Sequence, residues 1–248
     1  MDYVIDFHTH PFIKEENNFA IYDKNIDYIA DMDRAGIGAF CGSVIARSTD
    51  FEAIKKCNRD AIELKKVYGD RYIPGVHVHP DYIEESIKEI EIAHENGVKL
   101  IGELVPYMNG WEDYSSKAFY EILDYLKKYD MVVSLHPMNY DAQEKMALDH
   151  KDIQFVFAHP GERNSVDRQI EIMKKCDNVS LDLSGTGIFR YGSIRYMVDN
   201  AGAEKIIFGT DYPICNPKMY VNAVLGEKLT DKERELILSG NAKRLLGL

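Results

Sequence analysis

The stretch YVIDFHTH, residues 3–10, joins a short apolar run to two histidines that are one residue apart. Runs rich in β-branched and aromatic residues are typical of a β-strand, in which residues i and i+2 project from the same face. His8 and His10 are therefore expected on one face at the end of a strand. The run is far too short to cross a bilayer or to serve as a signal peptide, so we expect a cytoplasmic protein.

Seven further apolar runs rich in β-branched residues follow, and amphipathic stretches such as DYIEESIKEIEIAHENG, residues 81–97, lie between them. The runs are IGAFCGSVI (37–45), RYIPGVHV (71–78), VKLIGEL (98–104), MVVSL (131–135), IQFVFA (153–158), NVSLDLS (178–184) and KIIFG (205–209). Near-continuous apolar strands that alternate with helices indicate a parallel sheet covered by helices. Eight such units predict a (β/α)8 barrel of the TIM type, formed by residues 1–248 as a single domain.

The net charge of the chain argues against nucleic acid as its partner. Its 41 acidic residues outnumber its 30 basic ones, which gives a net charge of -11. An acidic surface repels phosphate backbones, so nucleic acid is not expected as a partner. The chain also offers no membrane-spanning segment, and we expect a small-molecule substrate, with a homo-oligomer as an open possibility.

Ligand-type residues recur where the predicted strands end. Glu103 lies in the fourth run, His136 and His159 follow the fifth and sixth, and Asp211 follows the eighth. A barrel brings the carboxyl ends of its strands to one mouth, where active sites of this fold lie. His8, His10, His136 and Asp211 form a set that suits a divalent metal, with zinc as the favoured ion. Glu103 and His159 would complete the set, either around these ligands or as ligands of a second ion.

The pair of histidines is weak by itself, because the same spacing recurs at His77 and His79. The joint pattern resembles the amidohydrolase superfamily, and in particular its amidohydrolase-related (amidohydrolase 2) subgroup. The segments that carry the resemblance are DFHTH (6–10), AHPG (158–161), LDLSG (181–185), FGTDYP (208–213) and GNAKRLLGL (240–248), while IGEL (101–104) is similar to TatD-type enzymes.

The resemblance implies a distorted barrel that binds one or two divalent ions. It places His8, His10, His136 and Asp211 at metal-ligand positions. It places His159 either at a ligand position or at a catalytic, substrate-contacting one, and it places Glu103 where some relatives carry a bridging ligand.

Several reactions fit this set of residues. The leading expectation is a hydrolase of an amide, ester or lactone, in which Asp211 acts as general base on a metal-activated water and His159 assists. The alternative is a nonoxidative decarboxylase of the aminocarboxymuconate-semialdehyde decarboxylase type. A PHP- or TatD-type phosphoesterase is a third hypothesis, and the PHP type is disfavoured because no histidine follows His159. A catalytically silent metal-binding protein is the non-enzymatic alternative.

Three arginines, Arg47, Arg163 and Arg190, closely follow predicted strands. A guanidinium binds a carboxylate through two parallel hydrogen bonds, so these residues predict an anionic, carboxylate-bearing substrate. The alternative is that they pair with neighbours such as Glu162 and Asp167. Tyr107, in the loop after the fourth strand, is expected to line the substrate pocket, although this loop could equally cover the barrel rim.

Overall fold

The computed structural model describes residues 3–13, 23 and 25–248. Eight strands form one parallel sheet in the order of the chain. They are β1 (Val4–Thr9), β2 (Ile37–Ser43), β3 (Tyr72–Val76), β4 (Leu100–Leu104), β5 (Val132–Leu135), β6 (Gln154–Phe157), β7 (Val179–Asp182) and β8 (Ile206–Ile207). Seven of these strands lie within the runs expected from the sequence, and β1 extends past its run, YVIDF (3–7), to Thr9.

Helices cover the outer face of the sheet. The α-helices are α1 (Tyr28–Ala35), α2 (Phe51–Tyr68), α3 (Ile83–Glu95), α4 (Pro106–Asn109), α5 (Lys117–Leu126), α6 (Tyr140–Asp149), α7 (Arg163–Lys175), α8 (Ser193–Ala201), α9 (Pro217–Gly226), α10 (Asp231–Glu235) and α11 (Asn241–Leu246). Short 3₁₀ turns span Gly69–Arg71 and Ala203–Lys205, and a π-helical turn spans Leu236–Gly240. In the described ranges, no helix is both long and apolar enough to span a bilayer.

Hydrogen bonds between the first strand and the segment after β8 close the sheet into a barrel. The Phe7 amide donates to the Phe208 carbonyl over 2.9 Å, and the His10 amide donates to the Tyr212 carbonyl over 2.7 Å. The Asp211 amide donates to the His8 carbonyl over 2.8 Å. The expected TIM-type (β/α)8 barrel is therefore confirmed, and its closure sets Asp211 directly beside His8.

Two apolar clusters separate the inside of the barrel from its outer layer. One cluster takes alternate residues of six strands, such as Ile5, Leu100 and Val156, and continues into Leu245 of α11. The larger cluster joins the opposite faces of the strands, such as Phe155 and Val133, to the surrounding helices. His8 lies three residues beyond Ile5, and Glu103 lies three residues beyond Leu100, so strict alternation would place both on the opposite face. Shifts in strand register between Asp6 and Thr9 and between Ile101 and Leu104 interrupt the alternation in the segments that carry these two residues.

Candidate metal centre

Three potential ligand atoms converge at the end of β1. His8 Nε2 and His10 Nε2 lie 3.1 Å apart, and Glu103 Oε2 lies 3.4 Å from the first and 3.5 Å from the second. All three side chains are buried. An ion with metal–ligand bonds of about 2.1 Å separates neighbouring donor atoms by about 3.0 to 3.4 Å, so the spacing suits a single divalent cation.

A second group shares the same carboxylate. Glu103 Oε1 lies 2.9 Å from His136 Nδ1 and 3.2 Å from His159 Nε2. These three residues form a further cluster whose donor atoms could hold a metal ion. One oxygen of Glu103 thus faces the β1 histidines, and the other faces the histidines that follow β5 and β6.

Asp211 lies beside the first group and nearer to solvent. Its Oδ1 atom is 3.2 Å from His10 Nε2 and 3.8 Å from His8 Nε2. Its side chain is 12% exposed, compared with 3% for Glu103. Asp211 (φ 70°) and His159 (φ 59°) have left-handed backbones, and among the described residues no other non-glycine position does. Such conformations cost about 1 kcal/mol or more and cluster at functional sites.

A buried carboxylate that we did not anticipate orients His8. Asp182 Oδ2 lies 2.8 Å from His8 Nδ1, and both side chains are almost fully buried. Burial by itself raises the pKa of Asp182, but the adjacent His8 and His159 lower it below its usual value. The ionised Asp182 can only accept, so His8 Nδ1 donates a proton and His8 Nε2 is left to face the other ligand atoms.

The charges of the cluster stabilise one another. Burial disfavours the charged form of His8, but Asp182 and Glu103 raise its pKa well above the usual value. Burial likewise opposes ionisation of Glu103, yet the neighbouring His8 and His159 hold its pKa well below the usual value. Nitrogen and oxygen atoms that point their lone pairs at one another over these distances need a cation or a shared proton between them. The donor set therefore fits a divalent metal, with the imidazole and carboxylate ligands that zinc and manganese accept.

Asp6 ties the two strands that carry this site. Its Oδ1 atom accepts from the His8 amide over 3.2 Å and from the Thr210 amide over 3.0 Å. Its Oδ2 atom accepts from the Thr210 hydroxyl over 2.5 Å. Burial raises the pKa of Asp6 to about 7, against the effect of these hydrogen bonds. The pairing keeps His8 and Asp211 in register across the closure of the barrel.

The structure brings all six predicted ligands together, and it adds Asp182 and Ser184 from the end of β7. The sequence carried a signal for these two residues, because LDLS places polar side chains at alternate positions of an otherwise apolar strand. That segment carries part of the family resemblance, but its residues alone do not indicate that the two side chains contact histidines.

The second histidine pair stays outside both ligand groups. His79 Nε2 contacts the Asn109 carbonyl at 2.9 Å. Burial, with His10 nearby, lowers the pKa of His77 to about 4. His77 and His79 have the same spacing as His8 and His10, but their surroundings after β3 are different.

Two of the three arginines predicted to bind substrate form ion pairs with neighbouring carboxylates. Arg163 pairs with Asp167 over 3.0 Å and stacks on the ring of Tyr196, with 63% of its side chain exposed. Arg190 pairs with Glu162. The neighbour pairing considered as the alternative is thus present for both residues.

Arg47 lies on the β1 side of the site, and Tyr107 lies beside His136. Arg47 lines a cavity of about 190 Å³ together with Pro11, the residue that follows His10. The Tyr107 ring lies 5.3 Å from that of His136, and its side chain is exposed. Burial and the Glu103 charge raise the pKa of Tyr107, whereas Arg47 lowers it, which places Arg47 near this phenol.

Several solved structures share the fold. An uncharacterised TIM-barrel protein from Bordetella bronchiseptica superposes with a TM-score of 0.80 at 18% identity, over 98% of each chain. The 5-carboxyvanillate decarboxylase LigW from Sphingomonas paucimobilis gives 0.77 at 14% identity, over 99% of each chain. A dihydroxybenzoic acid decarboxylase from Polaromonas sp. JS666, with bound manganese and 2-nitroresorcinol, gives 0.76 at 18% identity, over 100% of this chain and 98% of that one. At these identities the likeness concerns the fold.

The sequence itself supplies the family. No curated protein sequence matches the chain. Residues 5–248, in contrast, match the family described as Amidohydrolase (Amidohydro_2), which covers the barrel and every residue of the candidate site. The chain belongs to this amidohydrolase family.

Proposed function

We propose that the protein is a metal-dependent, nonoxidative decarboxylase that acts on a small aromatic carboxylate. The observation that carries the proposal is the pair of ligand groups joined by Glu103, with Asp211 beside them at the barrel mouth. Similar structures named as decarboxylases of dihydroxybenzoate and of 5-carboxyvanillate support this reaction over the hydrolysis that led our expectations.

The residues that would hold the metal are His8, His10 and Asp211 on one side, with His136 and His159 on the other and Glu103 between them. A divalent cation bound there would stabilise the negative charge that develops on the substrate as CO₂ leaves. Manganese in a similar decarboxylase makes Mn²⁺ a candidate beside the Zn²⁺ that we expected. Imidazole and carboxylate ligands suit either ion.

Decarboxylation breaks one carbon–carbon bond, and the electron pair stays on the ring carbon until a proton replaces the lost CO₂. We assign delivery of this proton to Asp211, because its carboxyl group is the more exposed of the two that reach the site. His159 lies on the opposite side of Glu103 and would contact the substrate there.

Arg47 is our candidate for binding an anionic substituent of the substrate. It borders the cavity beside Pro11, near the first ligand group. The substrate roles predicted for Arg163 and Arg190 would require both residues to exchange the ion pairs that they form with Asp167 and Glu162. A guanidinium at the mouth of a protein with a net charge of -11 favours a carboxylate or phenolate over a cation.

The hydrolase hypothesis gives the same residues different roles. Asp211 would accept a proton from water and pass it to the leaving group, and a carboxylic acid would be released instead of CO₂. Membership of the amidohydrolase family keeps this reaction as the second candidate.

The experiment is a paired assay of protein loaded with Mn²⁺ or Zn²⁺. One series contains 2,6-dihydroxybenzoate and 5-carboxyvanillate, and the other contains lactones and amides of carboxylic acids. We expect CO₂ release from the first series, with one solvent proton incorporated into each product. Turnover confined to the second series would reject the decarboxylase and establish the hydrolase.

A further inference from the structure

One hydroxyl group lies between two histidines of the site. Ser184 Oγ is 3.1 Å from His8 Nδ1 and 3.0 Å from His159 Nδ1, and it also contacts Asp182 Oδ1 at short range. Ser184 and Asp182 are both fully buried. A single side chain after β7 therefore connects the two ligand groups behind their metal-facing atoms.

The roles of donor and acceptor follow from the chemistry of these groups. An ionised Asp182 only accepts hydrogen bonds, so the Ser184 hydroxyl donates its one proton to that carboxylate. The Ser184 oxygen is then left as an acceptor. His159 Nδ1 must therefore be the donor in its contact with Ser184.

We propose that Ser184 is a positioning residue: its hydroxyl, held by Asp182, accepts the Nδ1 proton of His159 and so directs His159 Nε2 toward Glu103. The proposal deepens the proposed function by naming what orients a residue of that site. Nε2 is then the atom at which His159 can hold a metal or exchange a proton, whichever reaction the enzyme performs.

The residues packed around the His159 ring leave room for it in this one orientation. Gly185 has a left-handed backbone with φ 64°, and a Cβ atom added there would lie 2.4 Å from His159 Nδ1. The Gly185 carbonyl accepts a hydrogen bond from the Tyr220 hydroxyl. Gly209 similarly leaves room, since its Cβ would lie 3.3 Å from Ser184 Cβ. The serine and the following glycine thus hold the ring from one side by hydrogen bonding and by shape.

His8 provides an internal comparison. Its Nδ1 atom has Asp182 Oδ2 at 2.8 Å in addition to Ser184. His159 Nδ1 makes its hydrogen bond to Ser184. Removing the hydroxyl should therefore release His159 while His8 remains held.

The test uses Zn²⁺-loaded protein and the variants Ser184→Ala and Ser184→Cys, of which the second keeps the shape of serine but accepts hydrogen bonds poorly. Ser180→Ala is the matched control, because Ser180 is a buried serine within β7. In proton NMR spectra, we expect the wild type to show slowly exchanging Nδ1–H signals from His8 and His159. Both Ser184 variants should lose only the His159 signal.

Competition with a chelator gives a second readout. We expect zinc affinity to fall about tenfold or more in both Ser184 variants, as is typical when a partner behind a metal-binding histidine is removed. Ser180→Ala should leave the affinity unchanged. Retention of the His159 signal together with wild-type zinc affinity would overturn the proposal. Loss of both the His159 and the His8 signals would also overturn it, because it would indicate a general structural defect.

Neither readout needs a substrate. If no decarboxylation is found, the proposed function fails while the role of Ser184 can still be established from the spectra and the zinc competition.

Discussion

Asp182 Oδ2 lies 2.8 Å from His8 Nδ1, although the two residues are 174 positions apart in the chain. The contact joins β7 to β1 inside the barrel, and it orients the histidine that begins the first ligand group. A carboxylate in this position fixes the tautomer of the imidazole and makes it a better metal ligand.

We predict that Asp182→Asn weakens metal binding by about 10- to 100-fold, because the amide lacks the charge that strengthens the hydrogen bond to His8. The apparent dissociation constant for Zn²⁺ or Mn²⁺, measured by chelator competition, checks this. Asp177→Asn, which changes an exposed carboxylate just before β7, is the control and should bind metal as the wild type does. Equal affinities for all three proteins would contradict the role given to Asp182.

Glu103→Gln should lower the number of ions bound per chain. The carboxylate offers one oxygen to His8 and His10 and the other to His136 and His159. Glutamine replaces one of these acceptors with an amide group that cannot bind a cation, so only one ligand group keeps its oxygen. Elemental analysis of purified protein measures the ratio, with Glu84→Gln as the exposed control. An unchanged ratio would show that Glu103 does not serve both groups.

Arg47→Ala should raise the KM for an aromatic carboxylate about tenfold, since a charge-assisted hydrogen bond contributes about 1.5 kcal/mol or more. Arg163→Ala is the comparison, because its guanidinium already binds Asp167 and stacks on Tyr196. We expect its KM to remain within about twofold of the wild type on the same reasoning. Steady-state kinetics decides between them, and a larger effect at Arg163 would reverse the assignment.

The pH dependence of stability should reveal Glu233, at the start of α10. Two hydrogen bonds from Arg195, each 2.9 Å long, and the Thr230 amide lower its pKa from 4.5 to about 2. Because the folded pKa is depressed, the stabilisation is complete above pH 4.5 and is lost as the pH falls toward 2.

Glu233→Gln should therefore lower Tm by about 2 to 4 °C at pH 7, the change expected for a helix cap worth about 1 kcal/mol. The difference from the wild type should shrink progressively below pH 4.5 and disappear only below pH 2. Glu235→Gln, an exposed change in the same helix, should give no such pH-dependent difference. A Tm difference for Glu233→Gln that is constant with pH would refute this account.

Much of the architecture was accessible from local patterns. The strand period placed His8 and His10 on one face, and eight alternations of strand and helix predicted a barrel whose mouth would collect Glu103, His136, His159 and Asp211. These inferences succeed because periodicity reflects burial, which each segment records in its own residues.

The side chains that orient the ligand histidines from behind, Asp182 and Ser184, could not be predicted from local patterns. Nothing in the residues around Asp182 and Ser184 distinguishes a carboxylate that orients His8 from one that ends a strand. The ion pair of Arg163 with Asp167, four residues along the same helix, was accessible from the sequence. The ion pair of Arg190 with Glu162, in contrast, depends on which segments the fold brings together. Such contacts are set by register and closure across the sheet, which join residues distant in the chain.

The sequence by itself determined the barrel, the family and the types of residue at the strand ends, because these depend on hydrophobic period and on the chemistry of single side chains. Only the tertiary structure decided that Glu103 divides its two oxygens between two histidine pairs and that Asp182 and Ser184 hold the imidazoles from behind. Donor geometry over a few ångströms depends on the closed sheet as a whole, since each strand sets the position of its neighbours.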